Sequence, residues 1–308
     1  MTIVVAGASG LVGSAIVRRY ESAGEKVIGI NRSVVDLLDA KATTDFIRGA
    51  KPDLVIDAAA KVGGIGANNS FPVEFLNDNL RIQSNLMEAA HLAKVERFVF
   101  LGSSCIYPRE CPQPIKEEYL LTGPLEQTNS AYAIAKIAGI ELIKSYRKEY
   151  GYHWISLMPT NLYGPNDNFD LANSHVLPAL IRRFLEAGPS GTVTLWGSGK
   201  PRREFLHVDD MASAVALCAE KYDDERHLNI GSGVDSTIAE LAQLVAEAAD
   251  FKGEIAWDAS KPDGTPRKVM DVSRVKSLGW SPKISLKDGI AQTIAWYRKA
   301  SSEGVVRK

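Results

Sequence analysis

Short apolar runs recur along the first half of the chain, at Thr2 to Ala6, Lys26 to Ile30, Leu54 to Ala58, Arg97 to Leu101 and Trp154 to Met158. Each has strand length, and the stretches between them return apolar residues at helical spacing. Strand and helix in regular alternation predict an α/β fold with a doubly wound parallel sheet. Two of the helical stretches, about residues 72–93 and 130–150, outrun an average helix, and long helices on one face of a sheet offer a seam for a homodimer. After Pro159 loops interrupt the pattern at residues 163–167, 188–191, 197–201 and 261–266. Such loops gather ligand contacts, so residues 1–165 are expected to form a nucleotide-binding domain, to which about 205–230 return. Residues 166–308 then make mainly a smaller C-terminal substrate-binding lobe, and the end, Val305 to Lys308, is expected to fray.

With 308 residues, 45% of them hydrophobic, the chain can bury a large core. Its formal net charge of -1, with acids and bases interspersed, argues against a nucleic-acid arm or a polybasic membrane surface. No apolar run approaches the roughly 18 to 20 residues of a membrane span, and the first residues enter a strand without a charged leader. Cys105, Cys111 and Cys218 are odd in number, and two share one loop, which is no disulfide framework and suits a reducing cytoplasm. None of His91, His153, His207 and His227 pairs with carboxylates or thiols at metal-ligand spacing, so no metal is expected. His207 reads as part of a strand-to-helix junction capped by Asp209 or Asp210.

Gly7-x-x-Gly10-x-x-Gly13 follows the first strand and opens a helix, which lets a diphosphate approach backbone amides at a helix N-terminus. Gly7, Ser9, Gly10, Leu11, Val12 and Gly13 are therefore cofactor candidates. The acid that would hold a ribose 2′-hydroxyl about 20 residues on is missing. Arg32 stands there instead, and a guanidinium attracts a 2′-phosphate, so NADP is expected over NAD. Asp36 and Leu37 would border the adenine, and Ala58 and Ala59 the cofactor's path.

Tyr132 and Lys136 are four apart on one helical face, so the ammonium is expected to sit beneath the phenol and lower its pKa from about 10. Ser103, at a preceding strand end, would give the same substrate oxygen a second hydrogen bond. This is equipment for reducing a carbonyl.

Gly7, Gly10 and Gly13, Ser103, Tyr132-x-x-x-Lys136 and Pro159-Thr-Asn-Leu-Tyr163-Gly-Pro, in that order, resemble the extended short-chain dehydrogenase/reductases, a Rossmann-type family of nucleotide-sugar epimerases, dehydratases and reductases. Within them, Ala59-Ala-Lys-Val-Gly-Gly64, Leu101-Gly-Ser-Ser-Cys-Ile-Tyr-Pro108, Asn173-Ser-His-Val176, Arg203-Glu-Phe-Leu-His-Val-Asp-Asp210 and Asp258 to Lys268 resemble the members that invert GDP-4-keto-6-deoxy-D-mannose at C3 and C5. Those members then reduce C4 with NADPH, giving GDP-L-fucose. The resemblance implies Cys105 as base and His175 as acid of the epimerisation, beside Ser103, Tyr132 and Lys136. It also implies cofactor contacts at Leu101, Gly102, Pro159, Thr160, Asn161, Leu162 and His175. Contacts to the GDP-sugar would come from Arg183, Trp196, Arg203, Asp263 and Lys268. Ser9 departs from the pattern, since some members carry an Arg there beside the adenosine phosphate.

Three other readings compete. A nucleotide-sugar 4-epimerase with tightly held NAD would use the same Ser, Tyr and Lys, but Cys105, His175 and Arg32 speak against it. A 4,6-dehydratase would carry Thr-Asp-Glu where this chain has Ser103-Ser104-Cys105. A non-catalytic nucleotide-binding module is the alternative of a different class.

Overall fold

The computed structural model describes residues 1–171, 173–261 and 263–307. Its main sheet contains β1 (Thr2–Ala6), β2 (Lys26–Ile30), β3 (Leu54–Asp57), β4 (Arg97–Leu101), β5 (Ile155–Pro159) and β9 (Leu228–Ile230), in the order β2-β1-β3-β4-β5-β9. Every pairing is parallel. The order reverses beside β1, which opens a crevice at the carboxyl ends of the strands, where open α/β sheets bind their ligands. Helices α2 (Ala40–Ala50), α4 (Pro72–Leu92) and α5 (Ser130–Tyr150) pack together, and α1 (Leu11–Glu21) packs on α7 (Val208–Lys221). The inner strands β1, β3, β4 and β5 are almost wholly buried, as a sheet covered on both faces requires, while the edge strand β2 is largely half-buried.

A second hydrophobic cluster, built on Tyr163, Phe169, Phe184, Leu195 and Tyr297, lies under the helices α6 (Val176–Ala187), α8 (Ile238–Ala249) and α10 (Leu286–Ser302). Beside them β7 (Thr192–Trp196) pairs with β11 (Glu254–Asp258). A further sheet joins β10 (Asp235–Thr237), β8 (Arg202–His207) and β12 (Arg267–Lys268), with β6 (Asn161–Tyr163) also on β8. Strand β8 runs directly into α7, so the sheet that carries Arg203 is continuous with a helix covering the main sheet. The other α-helices among the described residues are the short α3 (Ile65–Ser70) and α9 (Ser273–Ser277). Among the described residues no helix is long and apolar enough to cross a membrane.

Local chemistry sets the ends of these elements. Thr237 and Glu240 form a reciprocal capping box at α8, and Ser285 caps α10 through the Asp288 N–H. The junction before α7 differs from expectation, because His207 is itself the cap. Its Nδ1 accepts from the Asp209 N–H at 3.3 Å. The two acids are engaged elsewhere: Asp210 accepts from the N–H groups of Lys283 and Ile284, and Asp209 pairs with Arg18 at 2.7 Å.

The expected fraying of the end is also corrected for Val305 to Arg307. The Phe169 N–H donates to the Arg307 carbonyl at 3.0 Å, the Arg307 guanidinium donates to the Asn166 carbonyl, and Val306 packs on the second cluster. Lys308 lies outside the described residues, as does Pro262 of the expected 261–266 loop.

Candidate active site

The first strand ends in Gly7, whose φ of 76° suits glycine, and a Cβ there would lie 2.6 Å from the Ala58 carbonyl oxygen. A Cβ on Gly13 would overlap the Gly7 carbonyl. The turn is thus pressed against the end of β3. Gly10 caps α1 with no side chain, and the first intrahelical bond runs from the Ser14 N–H to the Gly10 carbonyl at 3.0 Å. The N–H groups of Leu11, Val12 and Gly13 precede that bond and face outward at the positive end of the helix, a donor set fitted to a diphosphate. Ser9 is exposed beside them.

Arg32 is exposed just past β2, in a turn held by Asn31, whose side-chain oxygen accepts from the Ser33 N–H at 2.9 Å. A free guanidinium at this strand end fits a 2′-phosphate. Asp36 is also exposed, and its carboxylate accepts from the Leu38 N–H at 3.0 Å. Leu37 is buried, with its carbonyl accepting from Asn85 at 2.8 Å.

Tyr132 and Lys136 project from the first turns of α5 toward the ends of β3 and β4. The Lys136 ammonium is 2% exposed and donates to the Leu101 carbonyl at 2.9 Å, while resting 4.8 Å from the Phe100 ring centroid. It is 6.0 Å from the centroid of the Tyr132 ring, which Phe75 meets edge-on at 6.5 Å. Ser103 caps the turn 104–106, its Oγ accepting from the Cys105 N–H at 3.2 Å. That leaves the hydroxyl proton of Ser103 free to donate.

The phenol's ionisation differs from expectation. Burial drives its pKa up, the Cys105 thiol and the Asp57 carboxylate add to the rise, and only Ser103 lowers it. Lys136 does not set it, because the ammonium is directed to Leu101 and Phe100 rather than to the phenol oxygen. A phenol kept protonated is ready to donate a proton.

A Cβ on Gly102 would press on the end of the Met158 side chain. Its N–H donates to the Leu157 carbonyl at 2.9 Å, which ties the Ser103 strand end to β5. Beyond β5, the Thr160 N–H donates to the Ile230 carbonyl at 3.0 Å, and the Asn161 side chain donates to the Glu204 carbonyl at 2.8 Å. Pro159 and Leu162 are half-buried around them.

His175 occupies the position before α6 but its ring caps nothing. The residue is exposed, and desolvation by the surrounding protein lowers the imidazole pKa. Its loop reaches toward Tyr132 through intermediates. The Gly64 N–H donates to the Asn173 carbonyl at 2.9 Å, and a Cβ on neighbouring Gly63 would lie 3.1 Å from the ring of Phe75.

Arg203 and Lys268 are register partners in the β8–β12 pair. The Arg203 guanidinium donates to the Thr265 carbonyl at 2.6 Å, and partial burial lowers its pKa. Asp263 accepts from the Ser198 N–H and hydroxyl at 2.9 and 2.7 Å, just past Trp196. Trp196 is 66% exposed, a large apolar surface available for a ring to stack on. Arg183 joins this group less directly, donating to the Thr194 carbonyl at 3.2 Å.

The chain after β12 is bonded to the loop that follows Cys105. The Val269 N–H donates to the Gln113 side chain at 2.9 Å, and the Ile115 N–H donates to the Val269 carbonyl at 2.8 Å. Lys268 is close enough to counter part of the rise that burial imposes on the Cys111 thiol.

The pattern of the NAD dependent epimerase/dehydratase family matches residues 3–231. The chain belongs to that family. Among similar members, GDP-L-fucose synthase 1 of Arabidopsis thaliana is 54% identical, covering 96% of this chain and 93% of its own length. The GDP-L-fucose synthase of Escherichia coli K12 is 51% identical, covering 96% of both. The crystal structure of a GDP-L-fucose synthetase from Naegleria fowleri bound to NADP superposes with a TM-score of 0.92 at 29% identity, over 100% of this chain and 96% of that one. A GDP-mannoheptose C4 reductase from Campylobacter jejuni with NADP bound gives 0.90 at 35% identity, over 96% and 98%.

Asp57 and the network around Tyr107 were not singled out from the sequence. Asp57 ends a wholly buried strand and is itself unexposed, with one carboxylate oxygen accepting from the Ala59 N–H at 3.1 Å and the other unpaired. An acid closing the apolar run Leu54-Val-Ile56 was the available signal. Tyr107 donates to the Asn229 side chain at 2.5 Å and meets His227 at 3.1 Å, anchoring the Cys105 loop to β9. Nothing in the spacing of those residues announces the contact.

Proposed function

We propose that this epimerase/dehydratase family member converts GDP-4-keto-6-deoxy-D-mannose to GDP-L-fucose, with NADPH as reductant. What carries the reading is the Cys105 thiol beside Tyr132 and Ser103, on a loop bonded to the strand of Lys268. A reductase or a 4-epimerase has no use for that thiol, whereas inversion next to a ketone needs a base. Identity of 51% and more to GDP-L-fucose synthases over nearly the whole chain supports the same conclusion.

The NADPH fit rests on the free amides of residues 11–13 at the Gly7–Gly13 turn and on Arg32. When bound, the reduced nicotinamide supplies the hydride. The chain's residues do the rest. Tyr132 and Ser103 donate hydrogen bonds to the C4 oxygen, which withdraws electrons from C4 and makes the protons on C3 and C5 removable. Cys105, reacting as its thiolate, takes a proton from one face, the enolate charge is held by the same two donors, and His175, reacting as its imidazolium, returns a proton to the other face. In the reduction Tyr132 passes its proton to the C4 oxygen as the C–H bond forms, and the Lys136 ammonium, 6.0 Å from the ring centroid, offsets the phenolate charge through space without bonding to its oxygen. Trp196, Arg203, Asp263 and Lys268, with Arg183 behind them, hold the GDP group, the cations facing its diphosphate.

On this reading residues 1–165, with about 205–230, hold the nucleotide cofactor, and residues 166–308 mainly hold the sugar nucleotide. Two copies associate through α4 and α5, whose Val73, Leu92 and Ile134 are 75%, 43% and 46% exposed. Free Cys105, Cys111 and Cys218 suit the reducing cytoplasm. Purified protein given the keto-deoxy GDP-sugar and NADPH is expected to release GDP-L-fucose with one NADPH oxidised per product. A product unchanged at C3 and C5, or no net oxidation, would overturn the assignment, and sedimentation as a single copy would overturn the dimer.

A further inference from the structure

Asp57 has Ala6 and Phe100 as register partners, so it lies at the centre of the main sheet. Register partners in a parallel sheet send their side chains to the same face. Phe100 faces α5, for its ring lies under the Lys136 ammonium and would be struck by any Cβ on Gly139. Asp57 therefore faces α5 too. One of its oxygens takes the Ala59 N–H, and the other, fully buried, has no partner. Lys136 supplies the opposite charge through space rather than by an ion-pair contact: its ammonium has three protons, one of them given to Leu101, the residue after Phe100. Either charge alone in such a dry pocket is costly, and each relieves the other.

We propose that Asp57 is a positioning residue for the C4 reduction, its carboxylate serving as the buried counter-charge that keeps Lys136 an ammonium beneath the reacting phenol. This rests on the reductase reading above. Burial lowers the Lys136 pKa and Asp57 pulls it back up, while the Asp57 carboxyl is itself pushed by burial up to about 6, against the pull of Lys136 and the Ala59 N–H. The same negative charge raises Tyr132. From α5 the carboxyl faces Lys136 and Tyr132, and the turn 104–106 adds Cys105 beside Tyr132. The buried polar side chains of α4, Asn79 and Gln83, are neutral, and its Glu74 and Asp78 are paired with Lys61.

Reduction needs a protonated Tyr132 and a charged Lys136. A neighbouring carboxylate raises both pKa values, so its removal lowers both and moves the alkaline limb of the rate profile to lower pH. Below about 6 Asp57 is protonated in the native protein, and the difference disappears.

The test compares native protein with Asp57→Asn and Asp57→Leu, following NADPH oxidation by the keto-deoxy GDP-sugar across the neutral to alkaline range, with thermal melting and NADPH affinity measured alongside. The limb is expected to fall by about one pH unit in both variants, giving roughly tenfold slower reduction on the alkaline side and near parity at the acid end. Folded, NADPH-binding variants with the native limb would overturn the proposal. A separate measurement needs no Asp57 variant: in Lys136→Met the unpaired carboxyl should stay protonated and show its C=O infrared stretch at a pH where native protein shows none. Identical spectra would also overturn it. If native protein fails to oxidise NADPH with this sugar, the functional reading falls, and the infrared comparison still decides the Asp57–Lys136 pairing.

Discussion

The Lys136 ammonium donates to the Leu101 carbonyl at 2.9 Å, so the lysine is fastened to the end of β4 two residues before Ser103. That bond aligns α5 with the strand end and sets the place of Tyr132, one turn earlier. Tyr132→Phe keeps the ring and its edge contact with Phe75 while removing the proton, so the fold should stand and C4 reduction should drop by about 10² to 10⁴. Single-turnover NADPH oxidation measures it. A rate within a few-fold of the native protein would take Tyr132 out of the donor role.

Cys105 follows Ser103 by two residues, and the Ser103 Oγ is already bonded to its backbone N–H, so the thiol is free of that capping contact. Cys105→Ser preserves the turn and weakens the base. Deuterium uptake at C3 and C5 from heavy water should be lost, with NADPH binding unchanged. Uptake at the native rate would remove the thiol from the epimerisation.

The alternation of elements was legible in the sequence because a buried parallel sheet demands short continuous apolar strands. Helices α4 and α5 fell within a residue or so of expectation. The turn Gly7–Gly13 was legible because close packing on Ala58 leaves no room for side chains. Local spacing could not reveal Asp57, whose significance depends on a strand and a helix distant in the chain. The ionisation of Tyr132 departs from the sequence expectation for a related reason: a four-residue spacing fixes a shared face, but which way an ammonium turns depends on the acceptor it finds. His207 took the cap because Asp209 and Asp210 found partners in α1 and before α10, again far along the chain.

Arg32 tests the choice of cofactor. It is exposed at the end of β2, in a turn already fixed by Asn31 and Ser33, so Arg32→Ala should leave the fold intact. A hydrogen bond to a charged group contributes about 1.5–3 kcal/mol, so NADPH affinity should fall by roughly 10- to 100-fold. NADH, without the 2′-phosphate, should bind as before. Equal losses for both, read by fluorescence titration, would mean that Arg32 does not face that phosphate.

His227 links pH to stability. It is 5% exposed beside Tyr107, and burial, aided by Lys144 and Arg274, lowers its pKa to about 4. The folded pKa is thus below the unfolded value of about 6.5. As pH falls below about 6.5 the unfolded chain binds a proton that the folded chain refuses until about 4, so the stability belonging to the neutral ring is present above this window and lost on descending through it. His227→Gln has no such proton to bind. The stability of native protein relative to the variant should therefore decline between about pH 6.5 and 5 by up to about 1.4 kcal/mol per unit. Urea unfolding of both proteins at several pH values measures the difference, and a gap constant with pH would show that His227 is not held neutral in the fold.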